Sequence, residues 1–337
     1  MAKKELEIFN VSKKKNINEE VEKIFSYFRR NGFPHYESDD YDYKKELNNL
    51  IEFDENIIFN NGELNKTNHG LGFLWTFFPN WTEVRYKNNK NSVIENWNDD
   101  KKLKNLILKT YKWHLKHSNC QSIYQRIRQN AKIFCSKQSV SNFRPSSAKY
   151  IYNKFGNEGT VWDMSAGWGG RLFGFLASNC KKYIGTEPST KTFEGLNKLK
   201  NLYSSINKQI ELYCIGSEKF CPASSSIDLC FTSPPYFDTE QYSQEETQSF
   251  MSYPTKDLWL EYYLRKTIKN CNKALKREGY LILNISNTSD YTWLENETLR
   301  IANEEGFELV NEYSLILSSI SGKGKKREPI FIFMKTS

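Results

Sequence analysis

From Ser139 to the C-terminus, strand and helix signals alternate, and this alternation restricts the possible folds more than any other feature of the chain. Apolar runs at Thr160–Met164, Lys182–Thr186, Ile210–Ile215, Ile227–Phe231 and Tyr280–Ile285 have the length and composition of buried strands. Helix-forming stretches lie between them, among them Ala148–Phe155 and one whose Leu264, Ile268, Cys271 and Leu275 share a face. Strands joined through helices require crossover connections, which produce a largely parallel sheet with helices on its faces. A last pair, Phe307–Ser314 and Pro329–Met334, flanks Ser321-Gly322-Lys323-Gly324-Lys325-Lys326-Arg327 and reads as a long hairpin. The expected class is α/β.

The 337 residues suffice for one large domain or two ordinary ones. Residues 1 to about 20 are polar and Lys-rich. A helix over Val21–Arg30 follows, with Val21, Ile24, Phe25 and Phe28 at helical spacing, and Gly32–Tyr36 ends it. A second helix spans Tyr43–Ile51. The aromatics Phe73, Trp75, Phe77, Phe78 and Trp81 form either a small satellite core or a stacking surface for bases, and the first is the commoner use. Asp99 and Asp100 cap a helix that buries Leu103, Leu106, Ile107 and Tyr111 and exposes Lys101, Lys102, Lys104 and Lys109. A helix at Ser122–Phe134 carries Arg126, Arg128 and Lys132. Residues 1–138 thus read as a mainly helical region, and 139–337 as an α/β catalytic domain.

The formal net charge of +8 suits a polyanionic partner. Seven scattered cysteines without a Cys-x-x-Cys pair read as reduced thiols, neither disulfides nor metal ligands. His114 and His117 lie near Cys120, but on a Lys-rich helix they read as solvated, so no metal is expected. No run of eighteen apolar residues exists and the start lacks a signal-peptide core, so a soluble, cytoplasmic protein is expected.

Chemistry concentrates at the ends of the strands. Val161-Trp162-Asp163-Met164-Ser165-Ala166-Gly167-Trp168-Gly169-Gly170-Arg171-Leu172 is a strand, a glycine-rich turn and a helix start. Its glycines permit positive φ and close backbone approach, and a helix N-terminus favours an anion. The next strand ends Gly185-Thr186-Glu187-Pro188, about twenty residues on, where an acidic side chain can bind ribose hydroxyls. A dinucleotide site would have a more regular Gly-x-Gly-x-x-Gly. Ile227–Phe231 runs into Thr232-Ser233-Pro234-Pro235-Tyr236-Phe237. The prolines fix their own φ and push the preceding residues into extended geometry, which holds the carbonyls of Ser233 and Pro234 as preorganised acceptors beside an aromatic face. Such a pocket suits a planar heterocycle with an exocyclic amine.

Ser233-Pro234-Pro235-Tyr236 after a strand resembles motif IV of the S-adenosylmethionine-dependent DNA amino-methyltransferases, which modify cytosine N4 or adenine N6. Asp163 through Gly170 and Glu187-Pro188 resemble motifs I and II of that family, and Phe143-Arg144-Pro145 resembles motif X. The resemblance covers residues from about 140 to 337. It implies a Rossmann-like methyltransferase fold, with a mostly parallel seven-stranded sheet and an antiparallel C-terminal strand. S-adenosyl-L-methionine is then the cofactor, held by Phe143, Arg144, Pro145, Asp163 beside the sulfonium, Ser165, Gly167, Gly169, Glu187, Pro188 and Glu218, the last near the adenine. Ser233, Pro234, Pro235 and Tyr236 would be catalytic, and Phe237 and Tyr242 would border the target base.

The resemblance further implies DNA as partner and a base flipped out of the duplex, as in restriction–modification enzymes. Ser before Pro-Pro is commoner in the cytosine enzymes. The motif order X, I, IV leaves no room for a recognition domain downstream, so residues 1–138 are the candidate for target recognition. That departure keeps an RNA amino-methyltransferase in view, as well as a silent nucleic-acid-binding subunit of the same fold. A protein glutamine methyltransferase typically has Asn before Pro-Pro.

Overall fold

The computed structural model describes residues 16–87, 91–117, 122–134, 140–318 and 325–336. It divides into two compact units. One contains residues 37–78, 142–239 and 244–337; the other contains 1–36, 79–141 and 240–243.

The larger unit is built on a nine-stranded sheet. In chain order its strands are β1 (Phe59–Asn60), β2 (Glu63–Leu64), β3 (Thr160–Asp163), β4 (Lys182–Thr186), β5 (Gln209–Tyr213), β6 (Ile227–Thr232), β7 (Leu275–Asn284), β8 (Phe307–Ser318) and β9 (Lys325–Lys335). Across the sheet they run β1-β2-β8-β9-β7-β6-β3-β4-β5. β3, β4, β5, β6 and β7 pair in parallel, and β9 is antiparallel to both β7 and β8. This is the Rossmann-like, mostly parallel sheet with an antiparallel C-terminal strand that was expected. The chain builds outward from β3 through β4 to β5, then returns to place β6 on the other side of β3. The switch point between β3 and β6 is where such sheets open a crevice at their carboxyl ends.

The core strands are buried on both faces. Every residue of β6 is buried, and β7 ends in four buried residues. That explains why they read as unbroken apolar runs, not as alternation. The sheet has two strands more than expected because residues 59–64 form a hairpin whose β2 pairs in parallel with β8 at Ser314 and Leu315. Short pairings between residues 250 positions apart leave no local pattern to read. Segment 37–78 therefore belongs with the sheet, and the division differs from a single cut at residue 138. Lys149 ties it down: its buried Nζ donates to the carbonyls of Leu50, Ile51 and Phe53 at 2.7–3.2 Å and lies 2.8 Å from Glu55.

The smaller unit packs helices Ile17–Asn31, Val93–Asn98, Asp100–Lys116 and Ile123–Phe134, together with a two-stranded ribbon, Arg85–Tyr86 with Glu240–Gln241. Asp99 caps the third helix by accepting the Lys102 N–H at 3.0 Å. Ser92 and Glu95 form a capping box on the second. Trp97 sits between Phe28 and Phe33, with ring centroids at 5.2 and 4.8 Å, and Phe33 also meets Trp81 edge-on. Of the aromatics from Phe73 to Trp81, Trp81 is buried in this unit, while Phe73, Trp75 and Phe78 are buried in the larger one and Phe77 is half-buried there, so these four buried rings are core and not an open stacking surface.

No helix among the described residues is long and apolar enough to cross a membrane. Cys180, Cys214, Cys221, Cys230 and Cys271 are free thiols, while Cys120 and Cys135 lie outside the described residues. No group of three His, Cys, Asp or Glu that could hold a metal occurs among the described residues.

Candidate functional site

Everything at the switch point turns on Asp163, the last residue of β3. Its carboxylate has no exposed surface. Oδ2 accepts from Arg171 Nε at 2.9 Å and from the Tyr183 hydroxyl at 2.7 Å. Oδ1 accepts from the Thr232 hydroxyl at 2.8 Å and from the Ser165 N–H at 3.3 Å. Asp163 directs its lone pairs to partners inside the protein. It is the anchor of the turn, because a buried carboxylate persists only when paired and hydrogen-bonded. Arg171 returns a second bond to the Ser165 carbonyl. Thr232, at the end of β6, also accepts the Ser165 N–H at 3.1 Å, so one hydroxyl stitches β6 to the turn after β3 across the switch point.

The turn takes positive φ at Gly167 (53°) and Gly169 (74°), and Gly170 begins a short helix, Gly170–Leu176. A Cβ on Gly170 would lie 2.0 Å from the Phe143 carbonyl oxygen and 2.4 Å from Asn142 Oδ1. That crowding reveals a latch absent from the expectations. Asn142 Nδ2 donates to the Trp168 carbonyl at 2.6 Å, and its Oδ1 accepts the Gly170 N–H at 3.0 Å. The only sequence signal was an amide three residues before Pro145. Beside it Phe143 lies edge-on to Phe231 at 5.3 Å and under the Arg171 guanidinium at 5.6 Å. Arg144 stands at the N-cap position of helix Pro145–Phe155 without capping it through its side chain, which donates instead to the Thr67 carbonyl and Asn68 Oδ1, and Pro145 takes the first helical position. Arg144 is thus turned toward segment 37–78, and Phe143 is the member of this trio that packs beside the turn.

Two more carboxylates stand at the neighbouring strand ends. Glu187, after β4, is 4% exposed; Oε2 accepts the Gly167 N–H at 3.0 Å and Oε1 the Ser189 N–H at 2.9 Å. Burial pushes its carboxyl up to about 7 despite those two N–H donors. Pro188 accepts from the Thr247 hydroxyl at 2.9 Å. Glu218 lies in the turn after β5 and is 2% exposed, and burial raises its carboxyl against the pull of Lys219. Its buried Oε2 makes no hydrogen bond among the described residues. An unsatisfied buried carboxylate oxygen is costly and calls for a donor from outside the chain. Tyr263 was also missed by sequence reading. A π-helical turn, Trp259–Arg265, carries its buried hydroxyl to 3.3 Å from Ser165 Oγ, and π turns shift the helical register that a periodicity search relies on.

After Thr232 the chain leaves the sheet. Ser233, Pro235 and Tyr236 are half-buried and Pro234 is buried. The Tyr236 hydroxyl donates toward the Asn284 carbonyl at 3.4 Å and Glu328 Oε2 at 3.5 Å, which orients the ring against the ends of β7 and β9. Phe237 corrects an expectation. Only 7% exposed, it packs among Trp259, Tyr291 and Trp293 at 5.3–6.3 Å, so it is a core residue and not a wall for a base. Its φ of 57° is unusual for an aromatic and is held by this cluster, as strained residues at sites are. Tyr242 belongs to the smaller unit, next to the ribbon strand Glu240–Gln241.

No family profile matches the chain, and no curated protein matches it. Among solved structures it is similar to a putative RNA methyltransferase from Pyrococcus horikoshii, at 14% identity over 57% of this chain and 83% of that one, with a TM-score of 0.39. A SAM-dependent methyltransferase from Methanosarcina mazei gives 14% identity, 55% and 97% coverage, and 0.40. Magnesium protoporphyrin IX methyltransferase from Synechocystis gives 12%, 67% and 90%, and 0.41. The strand order, and not these distant likenesses, carries the fold assignment.

Proposed function

We propose that the larger unit transfers a methyl group from S-adenosylmethionine to the exocyclic amine of a base in DNA, cytosine N4 or adenine N6. The observation that carries this reading is the meeting of four strand ends at one switch point. The Gly167–Gly170 turn follows β3, Glu187 follows β4, Glu218 follows β5, and Ser233-Pro234-Pro235-Tyr236 follows β6.

The residues present fit the cofactor. Glu218 Oε2 offers an unused buried acceptor to the adenine amine. Glu187 keeps lone pairs for ribose hydroxyls after accepting its two backbone donors. The turn at Gly167 leaves open space, since a Cβ there would meet only the Ser165 carbonyl oxygen, at 3.7 Å. Phe143 and Ser165 border the same turn, while Asp163 acts through the turn it anchors.

When bound, S-adenosylmethionine supplies an electrophilic methyl group. The protein's own task is orientation, which is worth more here than acid–base help. Ser233 Oγ and the Pro234 carbonyl accept the two amine hydrogens and turn the nitrogen lone pair toward the cofactor. Tyr236, pinned through its hydroxyl, stacks on the base. A base in duplex DNA reaches this pocket only by flipping out.

The test is transfer of labelled methyl from S-adenosylmethionine to unmodified DNA, followed by nucleoside digestion and mass identification. N4-methylcytosine or N6-methyladenine supports the reading, and the identity of the product settles the base. Label in RNA alone, or in neither nucleic acid, overturns it. Ser233→Ala and Tyr236→Ala should lower turnover by about 100-fold or more while calorimetric cofactor affinity survives; unchanged turnover in both removes these residues from the mechanism.

A further inference from the structure

The net charge of the chain is not shared between its units. The smaller unit contains 21 lysines and arginines against 10 acidic residues, a balance of +11, whereas the larger contains 27 against 30, a balance of −3. Within the smaller unit the imbalance is steeper still. Between Asp100 and Ser141 the chain carries ten lysines and arginines and not one Asp or Glu. Lysine-rich helices on ordinary solvated surfaces usually intersperse glutamates at i,i+4, which stabilise the helix and limit self-repulsion. Helices Asp100–Lys116 and Ile123–Phe134 do neither past Asp100.

Packing decides where this charge points. Leu103, Leu106, Ile107, Thr110 and Tyr111 are buried and set the inward face of helix Asp100–Lys116. Lys109, Lys112, Trp113 and Lys116 then fall at i, i+3, i+4 and i+7 and are all exposed, forming a strip about 10 Å long. Lysines near a helix C-terminus complement the dipole, and this alone explains Lys116. It does not explain what surrounds Trp113. That ring, 37% exposed, is stacked on His117 with centroids 4.3 Å apart and planes 17° from parallel. The guanidinium of Arg126, from the next helix, lies 4.1 Å from its centroid. A cation held over an indole loses little rotamer freedom on meeting an anion. The result is an aromatic-braced arginine beside a row of lysines, with no acid on either helix past Asp100.

We propose that this face, Lys109, Lys112, Trp113 and Lys116 with Arg126, docks the phosphate backbone of duplex DNA. The choice of DNA rests on the function proposed above; the charge and geometry rest on the smaller unit alone. The contacts are to phosphate and carry no sequence information, so they hold the duplex without choosing the site.

The test uses the full chain and a fluorescent 20-base-pair duplex, with anisotropy titrations between about 50 and 200 mM salt. Removing three phosphate contacts with Lys109→Ala, Lys112→Ala and Lys116→Ala should reduce the slope of log K against log salt by about 2.7 and weaken binding at least about tenfold. Lys112→Glu alone should weaken it in the same direction, as a check with a single exposed change. S-adenosylmethionine affinity by calorimetry should be unchanged in all variants, which shows that the larger unit is intact. Wild-type slope and affinity in the triple variant overturn the surface. So does a wild-type chain that ignores duplex DNA, or that loses only single-stranded RNA binding on substitution. If the slope falls as expected but the wild type methylates no DNA, the surface stands and the proposed reaction fails.

Discussion

The two units hold their lysines and arginines in different company, although both set some of them over rings, as Lys208 lies over Phe175 at 4.6 Å in the larger. In the larger unit, lysines are tied to backbone carbonyls at helix ends. Lys149 closes the helix ending at Glu52, Lys208 donates to the carbonyls of Phe175, Ser178 and Cys180, and Lys335 donates to those of Asn272 and Leu275. Each satisfies orphan acceptors where the helix dipole is negative. In the smaller unit, cations lie over rings: Arg126 on Trp113, Arg128 on Tyr36 at 3.7 Å, and Lys132 on Trp81 at 4.4 Å. A three-carbonyl cap fixes a cation in one geometry and hides it. A ring leaves N–H groups able to turn outward only where the site is open, as at half-buried Arg126; Arg128 is buried and donates to the His35 carbonyl at 3.1 Å, and burial lowers Lys132 to about 7. The first arrangement suits a scaffold that must hold turns at a switch point; among these three ring-held cations, Arg126 beside exposed Trp113 is the one placed to meet a polyanion.

The sharpest way to break this comparison is to remove the charge partner each unit cannot replace, or its aromatic counterpart. Asp163→Asn leaves Arg171 buried without its counter-ion and should cost about 3–5 kcal/mol in urea unfolding of the larger unit. In the smaller unit no ion pair with both partners buried occurs among the described residues, and the equivalent loss comes from an aromatic. Trp97→Ala removes the ring between Phe28 and Phe33 and should cost about 3–5 kcal/mol. An Asp163→Asn loss under 1 kcal/mol would mean that the anchor is dispensable.

A smaller effect sharpens the role of the turn. Gly170→Ala places a methyl 2.0 Å from the Phe143 carbonyl oxygen, where backbone must yield, and should cost about 1–3 kcal/mol. Because the displaced residues are Asn142 and Phe143, cofactor affinity should fall along with stability. Asn142→Ala should reproduce the affinity loss by freeing the Trp168 carbonyl and the Gly170 N–H. Normal affinity in both variants would show that the latch serves the fold alone.

These residues also mark how far the sequence could be read. The central strands and the glycine turn were legible because each depends on a local signal: a buried apolar run, a positive φ, a proline pair. The strand bounds shifted by a residue or two at most, except that β7 starts five residues early and β8 and β9 extend further toward their turn. What stayed hidden is non-local. The β1–β2 hairpin joins β8 across some 250 residues, Asn142 reaches a turn 26 residues on, and Tyr263 meets Ser165 from a π turn. At Asp163 and Phe237 the sequence showed the residue but not its partners, Arg171, Tyr183 and Thr232 for the first and Trp259, Tyr291 and Trp293 for the second. A motif specifies which atoms are present, whereas packing decides whether Arg171 or a ligand takes them.

Glu187 gives the smallest effect and the cleanest one. Its carboxyl is raised from 4.5 to about 7 by burial, so between those values the folded chain holds a proton that the unfolded chain has released. Without ligand, this group's contribution to stability is therefore present in full below about 4.5 and is lost as pH rises through 7. A ligand that donates hydroxyls to the carboxylate favours the ionised form and reverses the trend for binding. From pH 6 to pH 8 the ionised fraction rises about tenfold, so S-adenosylmethionine affinity should rise by up to about 1.4 kcal/mol. Calorimetry across that range measures it, and Glu187→Gln, which cannot titrate, should give a flat profile with weaker binding throughout. A wild-type profile that is flat, or that falls with pH, would place the ligand's hydroxyls elsewhere and leave Glu187 as a brace for Gly167 alone.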